Sequence, residues 1–244
     1  MKKIPAITAL FWVMKICATT LGETAGDLLS MTLNVGYAVS SLILLGGFVV
    51  TLVSQLYSKK YNPVIYWFVI LSTSTAGTTL SDFMDRTLGL GYALGSILLF
   101  TLLSSILFIW KQSEKSLAVT NIMTRKSELF YWAAILVSNT LGTALGDYLA
   151  DSSGLGFSGG AILVGSLISI TIVLYYFTEV SHVLLFWIAF VLTRPFGATF
   201  GDLLTKTQEN GGFNLGTKGS SLVLFSILLV LIIYEKKLYK KTIL

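Results

Sequence analysis

The sequence predicts an all-α, polytopic integral membrane protein of eight transmembrane helices, built as four parallel two-helix repeats in two pseudo-symmetric halves. Three observations predict it. The 244 residues are 54% hydrophobic but only 12% charged, against about 25% charged residues in a soluble domain. Apolar runs recur at about the 20 residues that cross a ~30 Å hydrocarbon core. One pattern of Trp, Gly and Asp is repeated four times along the chain.

The repeat sets the elements. Trp12, Trp67, Trp132 and Trp187 are each preceded by Phe or Tyr (Phe11, Tyr66, Tyr131, Phe186). Ten residues on stand Gly22, Gly77, Gly142 and Gly197, and five further Asp27, Asp82, Asp147 and Asp202. Nine residues after the first three Asp come Gly36, Gly91 and Gly156; the fourth copy has a five-residue insertion before Gly216. Each unit reads as two helices, over 5–29 and 36–57, 63–84 and 91–110, 128–149 and 156–177, and 183–204 and 216–234. The longer stretch 111–127 is a cytoplasmic connection between a first half, 1–110 (repeats 1–62 and 63–110), and a second, 128–244 (repeats 128–180 and 181–244).

Charge orients the spans. Twelve Lys and Arg fall on one side (Lys2, Lys3, Lys59, Lys60, Lys111, Lys115, Arg125, Lys126, Lys236, Lys237, Lys240, Lys241), and three on the other (Arg86, Lys206, Lys218). By the positive-inside bias, both termini are cytoplasmic and the chain is a multi-pass protein of the cell (inner) membrane. The net charge of +5 then calls for no nucleic acid; the partners are the lipid bilayer, a small inorganic ion or cationic solute, and a second copy in a homodimer. Met1 to Lys15 reads as a retained first helix rather than a cleaved signal. Cys17 and His182, each the only one of its kind, exclude disulfides and Cys- or His-based metal sites.

The repeated helix divides by role. Trp12, Trp67, Trp132 and Trp187 suit an interface anchor or a packing filler. Gly22 and Gly26, Gly142 and Gly146, and Gly197 and Gly201 form small-xxx-small pairs, as do Gly77 and Ser81, and they pack helices closely. The Asp residues sit at the unfavourable end of a helix dipole, always at the same angle from Gly. That points to an ion- or substrate-binding face of Asp27, Asp82, Asp147, Asp202 and Glu23, with Thr20, Thr24 and Asn139 adding oxygens. Such donors suit hard cations of the Mn2+, Mg2+ and Ca2+ class, with the four Asp as metal ligands. Lys15 and Arg194 lie within spans, so Glu23 is expected to pair with one of them for coupling or as an ion pair. Arg194-Pro195 is expected to break its helix.

The motif Phe11-Trp12 through Thr20-Leu21-Gly22-Glu23-Thr24-Ala25-Gly26-Asp27 resembles a bacterial membrane family of tandem "repeat of unknown function" units. The resemblance covers nearly the whole chain and implies four repeats of two transmembrane segments, each with its Trp. Glu23-Thr24-Ala25-Gly26-Asp27 is also similar to the Glu-x-Gly-Asp helices of calcium and manganese exporters, with one extra residue between Glu and Gly. The function expected is secondary transport or export of a hard cation, with exchange for protons as a coupling mechanism, and with two halves rocking about a central cavity. The alternative is a cation channel or receptor-like scaffold with an acidic outer vestibule. No enzyme is expected, and no cofactor beyond a divalent cation bound as substrate.

Overall fold

A computed structural model describes residues 3–243, apart from the side chains of residues 121, 242 and 243; Lys2 of the charge count lies outside them. The helices are α1 (Ala9–Asp27), α2 (Tyr37–Tyr57), α3 (Pro63–Asp82), α4 (Tyr92–Glu114), α5 (Arg125–Asp147), α6 (Gly156–Phe177), α7 (His182–Thr205) and α8 (Thr217–Ile243). Local chemistry starts several of them. Thr8 and Thr124 accept the backbone N–H of Phe11 and Ser127, and Asn62 accepts that of Val64 ahead of Pro63, satisfying donors that a helix start leaves open.

The odd-numbered helices form the interior. α1 packs on α3, α3 on α5, α5 on α7, and α7 returns to α1, so the ring closes within one chain. Each even-numbered helix packs on the first helix of the next repeat: α2 on α3, α4 on α5, α6 on α7, and α8 on α1. The sequence repeat is therefore not the packing unit, since a repeat's second helix covers its neighbour.

Glycine sets the register of the ring. A Cβ at Gly22 would overlap Ser74, one at Gly77 would press on Asn139, one at Gly142 on Arg194, and one at Gly197 on Thr19. One rule holds around the circle: the Gly ten residues after Trp receives the residue seven after Trp on the next inner helix. The second glycines repeat it one turn on, with Gly26 against Thr78, Gly146 against Ala198 and Gly201 against Glu23. Close backbone approach is what small-xxx-small spacing permits.

Several expectations are corrected. Among the described residues seven helices, not eight, are long and apolar enough to cross a membrane by length and composition; α1, with Lys15, Glu23 and Asp27, is not one of them. The inner helices are not lipid-embedded rods. Their Thr19, Ser74, Asn139, Thr143 and Arg194 are wholly buried against each other, and ion pairs and hydrogen bonds tie helix to helix. α7 also runs unbroken through Pro195, whose ring packs against the space left by Gly142. The outer helices do expose apolar side chains, among them Leu42, Val50, Ile162 and Leu222.

The ring makes a prediction about glycine. Gly142→Val should lower stability by at least the ~1–3 kcal/mol of an overpacked core. Gly46→Ala, with nothing near its Cβ, should be neutral or gain about 0.5–1 kcal/mol. Thermal unfolding of both variants checks it; equal melting temperatures would remove the register argument.

Candidate functional site

The interior is a stack of four-residue tiers, one residue from each inner helix. Nearest the termini-bearing end, Lys15, Ile70, Ile135 and Phe190 form an almost apolar tier, all fully buried. Thr19, Ser74, Asn139 and Arg194 form the next, then Glu23, Thr78, Thr143 and Ala198, and last the four Asp. The spacing is the four-residue step that keeps side chains on one helix face.

Below the stack the column closes on aromatic rings. The Tyr66 and Tyr131 hydroxyls meet at 2.7 Å, and Phe11, Trp67, Trp132 and Tyr131 pack around them with centroids 5.0–5.6 Å apart. Trp67, Trp132 and Trp187 are inside the bundle, while Trp12 is half-buried. Trp67 donates to Glu235 at 2.7 Å and Trp187 to the Leu117 carbonyl at 3.1 Å. The Glu235 contact accompanies an α8 that runs nine residues past its expected end at 234.

Arg194 lies at the centre with no exposure. Its Nη2 is 2.9 Å from Glu23 Oε2 and donates to Thr143 at 2.6 Å and to Thr78. Its Nε and Nη1 have no hydrogen-bond partner among the described residues. Lys15 makes no ion pair with Glu23; its ammonium donates to Asn139 Oδ1 at 3.3 Å and lies 4.0 Å from the centre of the Phe190 ring, a cation–π contact. Asn139 passes the chain on by donating to Thr73 at 2.9 Å. Thr20 turns to its own helix, donating to Ile16 O, and Thr24 bonds Leu21 O and Ser221, so neither faces the carboxylates.

The Asp tier is held by a device the repeat pattern does not announce. Asp27, Asp82 and Asp147 end their α-helices and pass into five-residue π turns, Leu28–Thr32, Phe83–Thr87 and Tyr148–Ser152. Such turns are rare and gather at functional sites. The glycines after them open the next helices with φ of +79° at Gly36, +72° at Gly91 and +67° at Gly156, a conformation that other residues rarely adopt. The fourth repeat instead continues as α-helix to Thr205, and its insertion folds as a short turn, Gln208–Asn210, before Gly216 at +71°.

Four residues after Asp, repeats two and four carry cations. Arg86 Nε is 2.9 Å from Asp82, and its Nη2 is 3.3 Å from Asp147 and 3.9 Å from Asp151. Lys206 is 3.1 Å from Asp202 and 2.9 Å from Asp27. Each cation thus joins its own Asp to that of the next repeat. Burial pulls the Lys206 ammonium down, but Asp202 and Asp27 outweigh it and hold the group well above the ordinary lysine range.

Between this tier and the one before it, carboxylate oxygens of Glu23, Asp147 and Asp202 lie within 4.8 Å of one another, all three residues buried. They could coordinate a divalent cation. Asp27 and Asp82 stand outside that group, each against its cation. Asp202 Oδ1 faces the Lys206 ammonium at 3.1 Å. A cavity of about 330 Å³ opens beside it, lined among others by Arg86, Asp151, Phe157, Asp202, Lys206 and Asn210.

This geometry corrects the functional expectations. A transporter with a central cavity between rocking halves is not what the chain builds: the centre is filled by Arg194 and its partners, the column is closed by aromatic rings at one end, and both seams between the halves are bridged by ions at Arg86–Asp147 and Lys206–Asp27. Nor is the Asp ring an open acidic vestibule of a channel or receptor-like scaffold, because cations sit between its members. The partner and localisation expectations rest on apolar composition and on the distribution of Lys and Arg; the buried charged and hydroxyl groups form instead a connected, self-contained core, so the bilayer partnership, the homodimer and the inner-membrane placement with cytoplasmic termini do not follow. The length and apolarity of seven helices assign no location by themselves.

A family model described as Repeat of Unknown Function (DUF347) matches the chain four times, over 10–61, 65–116, 130–181 and 185–238. The match carries the repeats and nothing about membranes, so the two-transmembrane-segment character implied by the resemblance is corrected to an all-α repeat with an aromatic and polar core. No curated protein and no solved structure matches the chain.

The central ion pair makes its own prediction. Glu23→Gln and Arg194→Met alone should each cost about 3–5 kcal/mol, because each strands a buried charge, while the double variant should recover part of that loss. A double-mutant cycle by chemical denaturation checks it; strictly additive losses would show that the two side chains are not coupled.

Proposed function

We propose that this chain, which belongs to the Repeat of Unknown Function (DUF347) family, is a binding protein for one hard divalent cation, held by Glu23, Asp147 and Asp202. The observation that carries the proposal is the convergence of three buried carboxylates from repeats one, three and four within 4.8 Å. Charge supports it. The Asp tier and Glu23 supply five carboxylates, against which Arg86, Arg194 and Lys206 set three cations. Carboxylates thus outnumber the cations set against them around the site, as a cation-binding centre requires.

The donor type supports it as well. All donors are carboxylate or hydroxyl oxygens, which Mg2+, Mn2+ and Ca2+ prefer over nitrogen or sulfur. An ion there would tie α1, α5 and α7 together at one point, so occupancy would be felt as tightening of the ring. That favours a regulatory or sensing role over catalysis: binding only the folded chain, it stabilises by mass action.

The test uses the purified full chain in mild detergent, a precaution for its exposed apolar outer faces. Mn2+ binding followed by the loss of free-ion paramagnetic signal should show one ion per chain. Asp147→Asn and Asp202→Asn should each weaken it at least tenfold, about 1.4 kcal/mol, and Glu209→Gln, in the exposed insertion, should not. Stoichiometric binding that survives the Asp147→Asn, Asp202→Asn double variant would overturn the assignment.

A further inference from the structure

We infer that Arg86 and Lys206 are resident counter-cations of this site, which an incoming ion must displace, and that they set its affinity and its preference for divalent over monovalent ions. The inference rests on the cation-binding reading and adds what decides when and by what the site is filled.

The carboxylates that converge are not equivalent in their present partners. Glu23 is held by Arg194, which is fully buried and enclosed by Thr78 and Thr143. It has nowhere to go. Asp147 is held by Arg86 and Asp202 by Lys206. Their side chains are 34% and 23% exposed, and both line the cavity of about 330 Å³. Two of the three candidate ligands are therefore occupied by charges that can swing into open space, and the third by one that cannot.

The alternative partners are already in place. Arg86 keeps Asp82 at 2.9 Å and has Asp151 at 3.9 Å on the cavity wall, while Lys206 keeps Asp27 at 2.9 Å. Each cation can release one carboxylate without losing its last counter-charge. Of the two Lys206 contacts, the one to Asp202 is the longer, 3.1 Å against 2.9 Å to Asp27, and is the one an incoming ion takes over. The two cations also explain selectivity. A monovalent ion brings no more charge than the ammonium or guanidinium it displaces from Asp202 or Asp147, whereas a divalent ion brings twice as much, so the exchange favours the divalent ion. Repeats one and three, with Met31 and Asp151 at the equivalent positions, carry no such cation, so the device has two-fold rather than four-fold symmetry.

The experiment is Mn2+ binding to the full chain for wild type, Lys206→Gln, Arg86→Gln and the two combined, with Lys218→Gln as a control for general charge. Lys206→Gln and Arg86→Gln should each tighten binding at least tenfold, Lys206→Arg should stay near wild type, and Lys218→Gln should not change it. Because the variants lose an internal ion pair, melting temperature is measured with and without Mn2+; the rise on adding Mn2+ should be larger in Lys206→Gln than in wild type. Wild-type binding that is unchanged or weakened in both Gln variants overturns this inference and leaves the cation site standing. Failure of every variant, including the double, to bind Mn2+ overturns the cation site itself.

Discussion

One constraint organises the molecule: a guanidinium and a carboxylate, Arg194 and Glu23, are buried at the centre of a ring of helices and must satisfy each other there. A buried pair is strongly destabilising when only one partner remains, so the surrounding helices have to hold both to within a fraction of an ångström. Glycine makes that possible. Gly142 leaves the space that the first carbons of Arg194 occupy, and Gly201 lies against the stem of Glu23. Thr78 and Thr143 then supply acceptors from the two remaining inner helices. All four repeats therefore meet on one side chain.

Around this point two symmetries are superposed. The backbone obeys a four-fold rule, with each glycine receiving the next repeat's side chain and each outer helix covering the next inner one. The charges obey a two-fold rule, with Arg86 and Lys206 bridging the seams from repeat two to three and from four to one. Glu23 and Arg194 obey neither. The scaffold is thus regular where packing is at stake and irregular where charge is, which is what a site evolved on a repeated frame requires.

Much of this is legible in the residues, and the reasons for the rest are physical. The repeat, the helices and the close-packing glycines follow from spacing alone, because 3.6-residue periodicity and small side chains are local properties. The charged members of the centre are visible as costly residues within apolar helices. What spacing cannot carry is which helix an outer helix covers: α2 lies on α3 rather than α1, and a period of 55 residues is the same in either case. The π turns after Asp27, Asp82 and Asp147 are hidden for a similar reason, although the recurring positive-φ glycines nine residues on mark where each turn ends. Arg86 and Lys206 were legible as loop charges on one side; their four-residue distance from Asp82 and Asp202 was the signal that they belong to the site. The polar face of each inner helix is legible too, at Thr19, Glu23, Asn139 and Arg194; the high apolar content assigns it to a cavity in a membrane bundle, where the structure closes it into a packed core.

The central claim is that the three convergent carboxylates form one cation site. It is tested most directly by anomalous scattering at the manganese edge from crystals of the full chain grown with Mn2+. The account predicts one dominant peak within about 2.6 Å, the outer limit for a hard cation's oxygen ligands, of carboxylate oxygens from Glu23, Asp147 and Asp202. A peak placed between Asp27 and Asp82 instead, or no internal peak at a concentration that saturates binding in solution, would contradict it.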